Sequence, residues 1–253
     1  MTQTDRANAF AALHQSGNPL VLYNIWDAGS AAAVAKAGAA ALATGSWSVA
    51  AAQGYDDGEA LPMEVLLQIA GRISATNDLP LSVDFEGGYA TDPEDLSLHI
   101  KRLLATGAVG LNFEDRVVGG KGLHDVDTQV ARIKAIRTTA EDTGIPLYIN
   151  ARTDVFLQSK PEQHAELMDE ALTRAAAYTE AGASGIFVPG LAEPELIREV
   201  CDKVRLPVNA MCLDTAADVT PLAALGVARI SFGPAPYRTA MKTLTAQAAR
   251  LYS

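Results

Sequence analysis

Apolar and polar positions along this chain follow two alternating periods. Short runs rich in Val, Ile, Leu and Phe predict strands at 19–27 (PLVLYNIWD), 40–46 (AALATGS), 79–86 (LPLSVDFE), 109–115 (VGLNFED), 146–154 (PLYINARTD), 185–190 (GIFVPG), 206–211 (LPVNAM) and 227–233 (VARISFG). Between them, Ala- and Leu-rich stretches with helical spacing predict helices at 30–37, 63–76, 93–106, 128–142, 163–181, 194–203, 217–225 and 235–251. Several end at glycine before the next strand (AKAG, LLATG, TEAG, AALG), where a left-handed cap carries no steric cost. One further helix (ANAFAALHQ) precedes the first strand. Eight strand–helix units in about 250 residues match a (β/α)8 TIM barrel in count and length; an open doubly wound sheet with an extra βα pair is the alternative. No linker or shift of composition interrupts residues 1–253, so a single domain is expected.

In such a barrel the chemistry sits where the strands end. The third strand ends in Asp84 and Glu86, two residues apart. Residues i and i+2 of a strand share a face, so the two carboxylates lie side by side, and burial sharpens their repulsion. A divalent cation is the commonest compensation. The same parity pairs Asn112 with Glu114 and Asn150 with Arg152, with Phe85, Phe113 and Ala151 on the opposite face. Other strand ends supply Asp27, Ser46 and Asn209. Oxygen ligands without clustered His or Cys favour Mg²⁺, or Mn²⁺, over zinc.

Composition narrows the partners. The chain is 49% hydrophobic and 20% charged, as soluble globular proteins are. Its formal net charge of −10 argues against nucleic acid, which requires a basic face. No apolar run approaches the ~18 residues that span a bilayer, and MTQTDRANAF lacks the apolar core of a signal peptide. Two cysteines are too few for a disulfide framework, so a reducing cytoplasm is the expected location.

The stretches DFEGGYA, GLNFEDR and NARTD, with Gly45-Ser46-x-Ser48 and Asp56-Asp57 upstream, resemble the phosphoenolpyruvate mutase/isocitrate lyase superfamily in the same order from about residue 20 to 235. In that superfamily the third strand ends in D-x-[DE]-x-G-Y-G, the fourth in [IL]-E-D and the fifth in A-R-x-[DE]. The resemblance implies a (β/α)8 barrel, Mg²⁺ and a substrate carrying a 2-oxo-carboxylate. By position it implies Asp84 as the direct metal ligand, with Glu86 and Glu114 acting mainly through the metal's water shell. Asp57 would lie beside metal and substrate. Ser46 and the Trp47 backbone would hold the substrate carboxylate, and Arg152 would face the enolate or the departing group. The resemblance also implies homodimers or homotetramers in which the last barrel helix is swapped onto a partner. Pro234 and Pro236 can redirect the chain there, and Met241, Leu244, Ala248 and Leu251 form an apolar stripe.

The chain departs from its relatives in the loop after strand 4. Isocitrate-type lyases carry K-[KR]-C-G-H there, with a Cys that acts as acid or base; here 116–128 reads RVVGGKGLHDVDT. Cys201 and Cys212 read as ordinary buried small residues. Members of the superfamily acting on phosphonopyruvate have an Asn in that loop and mutases have a His after strand 6, where this chain has GGKGLHD and VPGL, although the loop keeps Lys121, His124 and Asp125 and its LHD resembles the mutase loop. His124 is a candidate proton carrier, or an exposed loop histidine, and Gly119, Gly120 and Gly122 would let the loop open and close. Tyr55 and Tyr89 either line the site or pack at its rim; His14 and His164 read as surface residues. The expected function is a Mg²⁺-dependent lyase that cleaves a C–C bond of, or decarboxylates, an oxaloacetate-like 2-oxo acid through an enolate. The alternatives are a P–C bond enzyme acting on phosphonopyruvate or phosphoenolpyruvate, and a non-catalytic 2-oxo acid binder.

Overall fold

The computed structural model describes residues 1–252. Each apolar run contains a parallel strand: β1 (Leu20–Leu22), β2 (Leu42–Ala43), β3 (Leu81–Asp84), β4 (Gly110–Glu114), β5 (Tyr148–Arg152), β6 (Gly185–Phe187), β7 (Val208–Met211) and β8 (Arg229–Ser231). They lie in the order β1-β8-β7-β6-β5-β4-β3-β2. The circle closes just beyond β1 and β2, where Ile25 N–H donates to Ala43 O at 2.9 Å and Gly45 N–H to Ile25 O at 3.2 Å. The fold is the (β/α)8 barrel.

The helices are α1 (Gln3–Ala12), α2 (Ala28–Lys36), α3 (Ser46–Ala52), α4 (Met63–Thr76), α5 (Pro93–Ala105), α6 (Val126–Thr143), α7 (Met168–Glu180), α8 (Pro194–Lys203), α9 (Thr220–Ala224) and α10 (Ala235–Tyr252), with a 3-10 turn at Pro161–Leu167. Outward strand residues such as Val83, Leu111, Ile149 and Ile230 join helix residues such as Leu66, Ile100 and Ile136 in the main core. The barrel interior is unusual. TIM barrels fill it mainly with branched aliphatics; here Ser82, Asn112, Asn150, Asn209, Arg229 and Ser231 are buried there. The α1 helix closes the floor with Phe10, set edge-on against Tyr148 with ring centroids 5.4 Å apart.

Several sequence expectations are corrected. His14 is buried, stacked on Tyr148 with centroids 3.9 Å apart, and burial pulls its pKa down to about 3. His164 is buried against Phe156. Asp27 is no site residue: it caps α2, accepting the Ser30 N–H at 2.7 Å. Ser46 opens α3, a helix the Ala-rich stretch after β2 conceals, rather than ending a strand. The helix expected over 217–225 shrinks to α9, because Pro221 can sit only in a first turn. The strands are shorter than the apolar runs, since the last residues of each run leave the ladder to form the mouth.

The end of the chain leaves its own barrel. Ala235 and Pro236 are buried, and Tyr237 lies between Trp26 and Trp47 at centroid distances of 5.1 and 6.0 Å. Beyond them α10 projects outward, with Leu244 58% and Leu251 82% exposed.

Candidate active site

Strand register builds the site. Asp84 of β3 lies beside Asn112 of β4, which lies beside Asn150 of β5; one step further along, Glu114 lies beside Arg152. Arg152 is held by two acids. Its Nε and Nη2 donate to the Asp154 oxygens at 2.6 and 2.9 Å, and its Nη1 is 2.9 Å from Glu114 Oε2. Asp154 is itself fixed: its N–H donates to the fully buried Asp115 at 3.0 Å, which also accepts from Tyr178 Oη at 2.8 Å and pairs with Arg174. Asp84 accepts the Ser46 N–H at 2.9 Å and the Asn112 amide at 3.4 Å. Glu86 accepts the Glu59 N–H at 2.8 Å, and Glu59 in turn accepts the Tyr89 N–H at 2.8 Å. Glu59, Glu86 and Tyr89 all have positive φ, at 60°, 49° and 58°. Three non-glycine residues in that sparsely populated region, clasping one another at the mouth, mark strain of the kind that collects at functional sites.

The electrostatics match a site built for a cation. Burial pushes the Glu86 carboxyl up to about 8, reinforced by Asp57 and Asp84. Burial likewise pushes Glu114 up to about 8, against the pull of Arg152. Asp57 is raised by burial and by Asp84. Burial opposes the charge on Arg152, but Glu114 and Asp154 more than counter it, so the guanidinium stays protonated.

Ser46, Trp47, Asp57, Asp84 and Arg152 line one cavity of about 290 Å³ at the C-terminal ends of the strands. Glu86 and Glu114 stand beside it through Asp57, Asp84 and Arg152. Three candidates lie elsewhere. Tyr55 is 42% exposed at the surface and lines no part of this cavity. Asn209 is buried below the cavity, accepting from Ser231 Oγ at 3.2 Å. His124 faces a separate cavity of about 310 Å³ with Glu59, Gly87 and Arg132. Its loop folds as a small hairpin, closed by a Val117 N–H bond to Gly122 O at 3.0 Å. Two site residues escaped the sequence reading. Asn24 latches the barrel seam, accepting from the Phe232 and Gly233 N–H groups at 2.8 and 2.9 Å; its signal was a lone amide inside an apolar run. Arg238 lines the mouth, its guanidinium 4.4 Å from the Trp47 ring centroid. It lies in a helix, where strand parity gives no signal.

Comparison with known proteins identifies this arrangement. A family model described as phosphoenolpyruvate phosphomutase matches residues 10–252. The chain belongs to this family. A crystal structure of a Burkholderia cenocepacia protein, provisionally described as a phosphonomutase, superposes with a TM-score of 0.95 at 47% identity, covering 98% of this chain and 99% of that one. The 2-methylisocitrate lyase of Escherichia coli is 30% identical over 222 residues, 85% of this chain and 71% of the lyase. A phosphonopyruvate hydrolase solved with oxalate and Mg²⁺ shares the fold, with a TM-score of 0.86 at 21% identity, covering 100% of this chain and 87% of that one.

Beside the mutase family model, a lyase is thus among the sequence relatives, and a protein of the same fold, the phosphonopyruvate hydrolase, was solved with Mg²⁺. The residues of this chain fit that ion. Among the described residues no three His, Cys, Asp or Glu side chains converge into a cage for a bare metal. Mg²⁺ does not require one: it keeps several waters and takes one or two carboxylates, with others holding its water shell. Asp84, flanked by the raised Glu86 and Glu114, offers that donor set.

Proposed function

We propose that this chain is a Mg²⁺-dependent enzyme that cleaves a C–C bond of a small 2-oxo acid, or decarboxylates it, through an enolate. The observation that carries this reading is the convergence of buried Asp84, Glu86 and Glu114 with a doubly anchored Arg152 at one strand-end cavity. At about 290 Å³ the cavity suits a small acid. Asp84 would hold the metal, and Glu86 and Glu114 its water shell. When bound, the metal supplies a Lewis acid for the oxo and enolate oxygens. Ser46, at the start of α3, lines the same cavity as Asp57 and would orient the substrate carboxylate. Arg152, immobilised by Glu114 and Asp154, would present fixed positive charge where the enolate's negative charge develops as the departing group leaves. The loop 116–128 has no cysteine, which argues against the acid–base step of isocitrate-type lyases.

Turnover of a panel of 2-oxo acids, headed by oxaloacetate, tests the reading. Mg²⁺-dependent loss of substrate, abolished by EDTA and by Asp84→Ala in a folded variant, is expected. Mg²⁺ dependence that survives Asp84→Ala would remove Asp84 from the site. A second reading, P–C bond chemistry, is favoured by the Burkholderia relative at 47% identity. Phosphate release or isomerisation of phosphonopyruvate without turnover of any C–C substrate would select it. Tight Mg²⁺-dependent binding of 2-oxo acids without turnover would select a binding protein.

A further inference from the structure

Beneath the carboxylates lies a charge with no ion-pair partner. Arg229 of β8 is 1% exposed, and none of the salt bridges among the described residues includes it. Burial lowers its pKa to about 10, so it is still protonated near neutral pH. A buried guanidinium without a carboxylate costs several kcal/mol of desolvation, and an apolar side chain would fill a barrel interior at less cost. Its one side-chain bond runs across the barrel, from Nη2 to Asn112 Oδ1 at 3.1 Å. Asn150 Nδ2 donates to the same oxygen at 2.9 Å. Two donors on one oxygen leave the Asn112 amide a single orientation. Its NH₂ must point the other way, where it donates to Asp84 Oδ1 at 3.4 Å. Ser46 N–H fixes the other Asp84 oxygen at 2.9 Å.

We infer that Arg229 is a positioning residue of the metal site: through Asn112 it sets the orientation of the Asp84 carboxylate from the opposite wall of the barrel. This rests on the proposed metal role of Asp84. The alternative is a brace that merely ties β8 to β4.

Mn²⁺ binding followed by electron paramagnetic resonance separates the two, because it needs neither substrate nor turnover. Arg229→Met removes the charge and the donor at similar length. We expect it to weaken Mn²⁺ binding by about 10- to 100-fold, the loss typical when a group that orients a metal ligand is removed. In EDTA its melting temperature should equal or exceed that of the unaltered protein, since an isolated buried charge has gone. Arg229→Leu, which likewise removes both charge and donor, should behave alike and serves if the Met variant does not fold. In an Asn112→Leu background, Arg229→Met should add no further loss of Mn²⁺ affinity. Unchanged affinity with a lowered melting temperature would show a brace and overturn the inference; so would an undiminished additional loss in the Asn112→Leu background. Absence of Mn²⁺ binding by the unaltered protein would instead refute the metal reading itself.

Discussion

Arg152 is bound on three of its nitrogens by acids that are themselves buried, and this geometry determines what a substitution there would do. Lysine keeps the charge but cannot span Glu114 and Asp154 together. If Arg152 contacts charge that develops only in the transition state, Arg152→Lys should lower kcat by roughly 10²-fold or more, with little change in KM. A raised KM with kcat preserved would instead mark a ground-state clamp. Steady-state kinetics on the best 2-oxo acid decides between them.

At the scale of elements, the turn after β3 is tightly constrained. Gly88 has φ of +81°, and a Cβ there would stand 2.5 Å from Leu96 Cδ1 and 3.1 Å from the Phe113 ring. Left-handed strain and overpacking together should make Gly88→Ala destabilising by about 2–5 kcal/mol, measurable by urea unfolding. A change within about 0.5 kcal/mol would show that the turn relaxes freely. The strand–helix alternation was legible because β and α periods differ, and the pairing of Glu114 with Arg152 was legible because i, i+2 parity holds inside β4 and β5; Glu86 instead lies past the end of β3, in a turn at φ 49°, where strand parity does not place it. Other features were hidden for physical reasons. His14 reads as polar, but the α1 helix turns it onto Tyr148 inside the floor. Arg229 occupies an ordinary strand position, and only barrel closure brings it within reach of a residue 117 positions away. The placement of His124 depends on a hairpin that glycines permit but do not specify.

At the scale of the molecule, two consequences follow from burial. Glu86 and Glu114 sit near 8 when folded, against an ordinary value of 4.5. Between those values the folded state holds more protons than the unfolded chain, so these groups make stability fall as pH rises through that window. In EDTA, denaturant melts from pH 5 to 8 should show this decline. Mg²⁺, which requires the ionised carboxylates, should stabilise progressively more over the same range; a Mg²⁺ effect independent of pH would place the ion elsewhere. The second consequence concerns assembly. We propose that α10 packs on a second copy, because Leu244 and Leu251 in its outer part are exposed while Val21 of β1 and the adjoining Tyr23 also stay exposed. Sedimentation should give a dimer or tetramer at micromolar concentration, shifted toward monomer by Leu244→Asp with Leu251→Asp; a monomeric unaltered protein would contradict the swap. No described helix is long and apolar enough to cross a membrane.

Calorimetric titration with oxalate tests whether the metal site is complementary to an enolate, without knowledge of what leaves the substrate. Oxalate is a planar dianion resembling the enolate of pyruvate. With Mg²⁺ present it should bind at least about 10²-fold more tightly than pyruvate, as transition-state mimics do. That affinity should vanish in EDTA and in Asp84→Ala. Oxalate binding that is absent with Mg²⁺, or equally strong without it, would contradict the account.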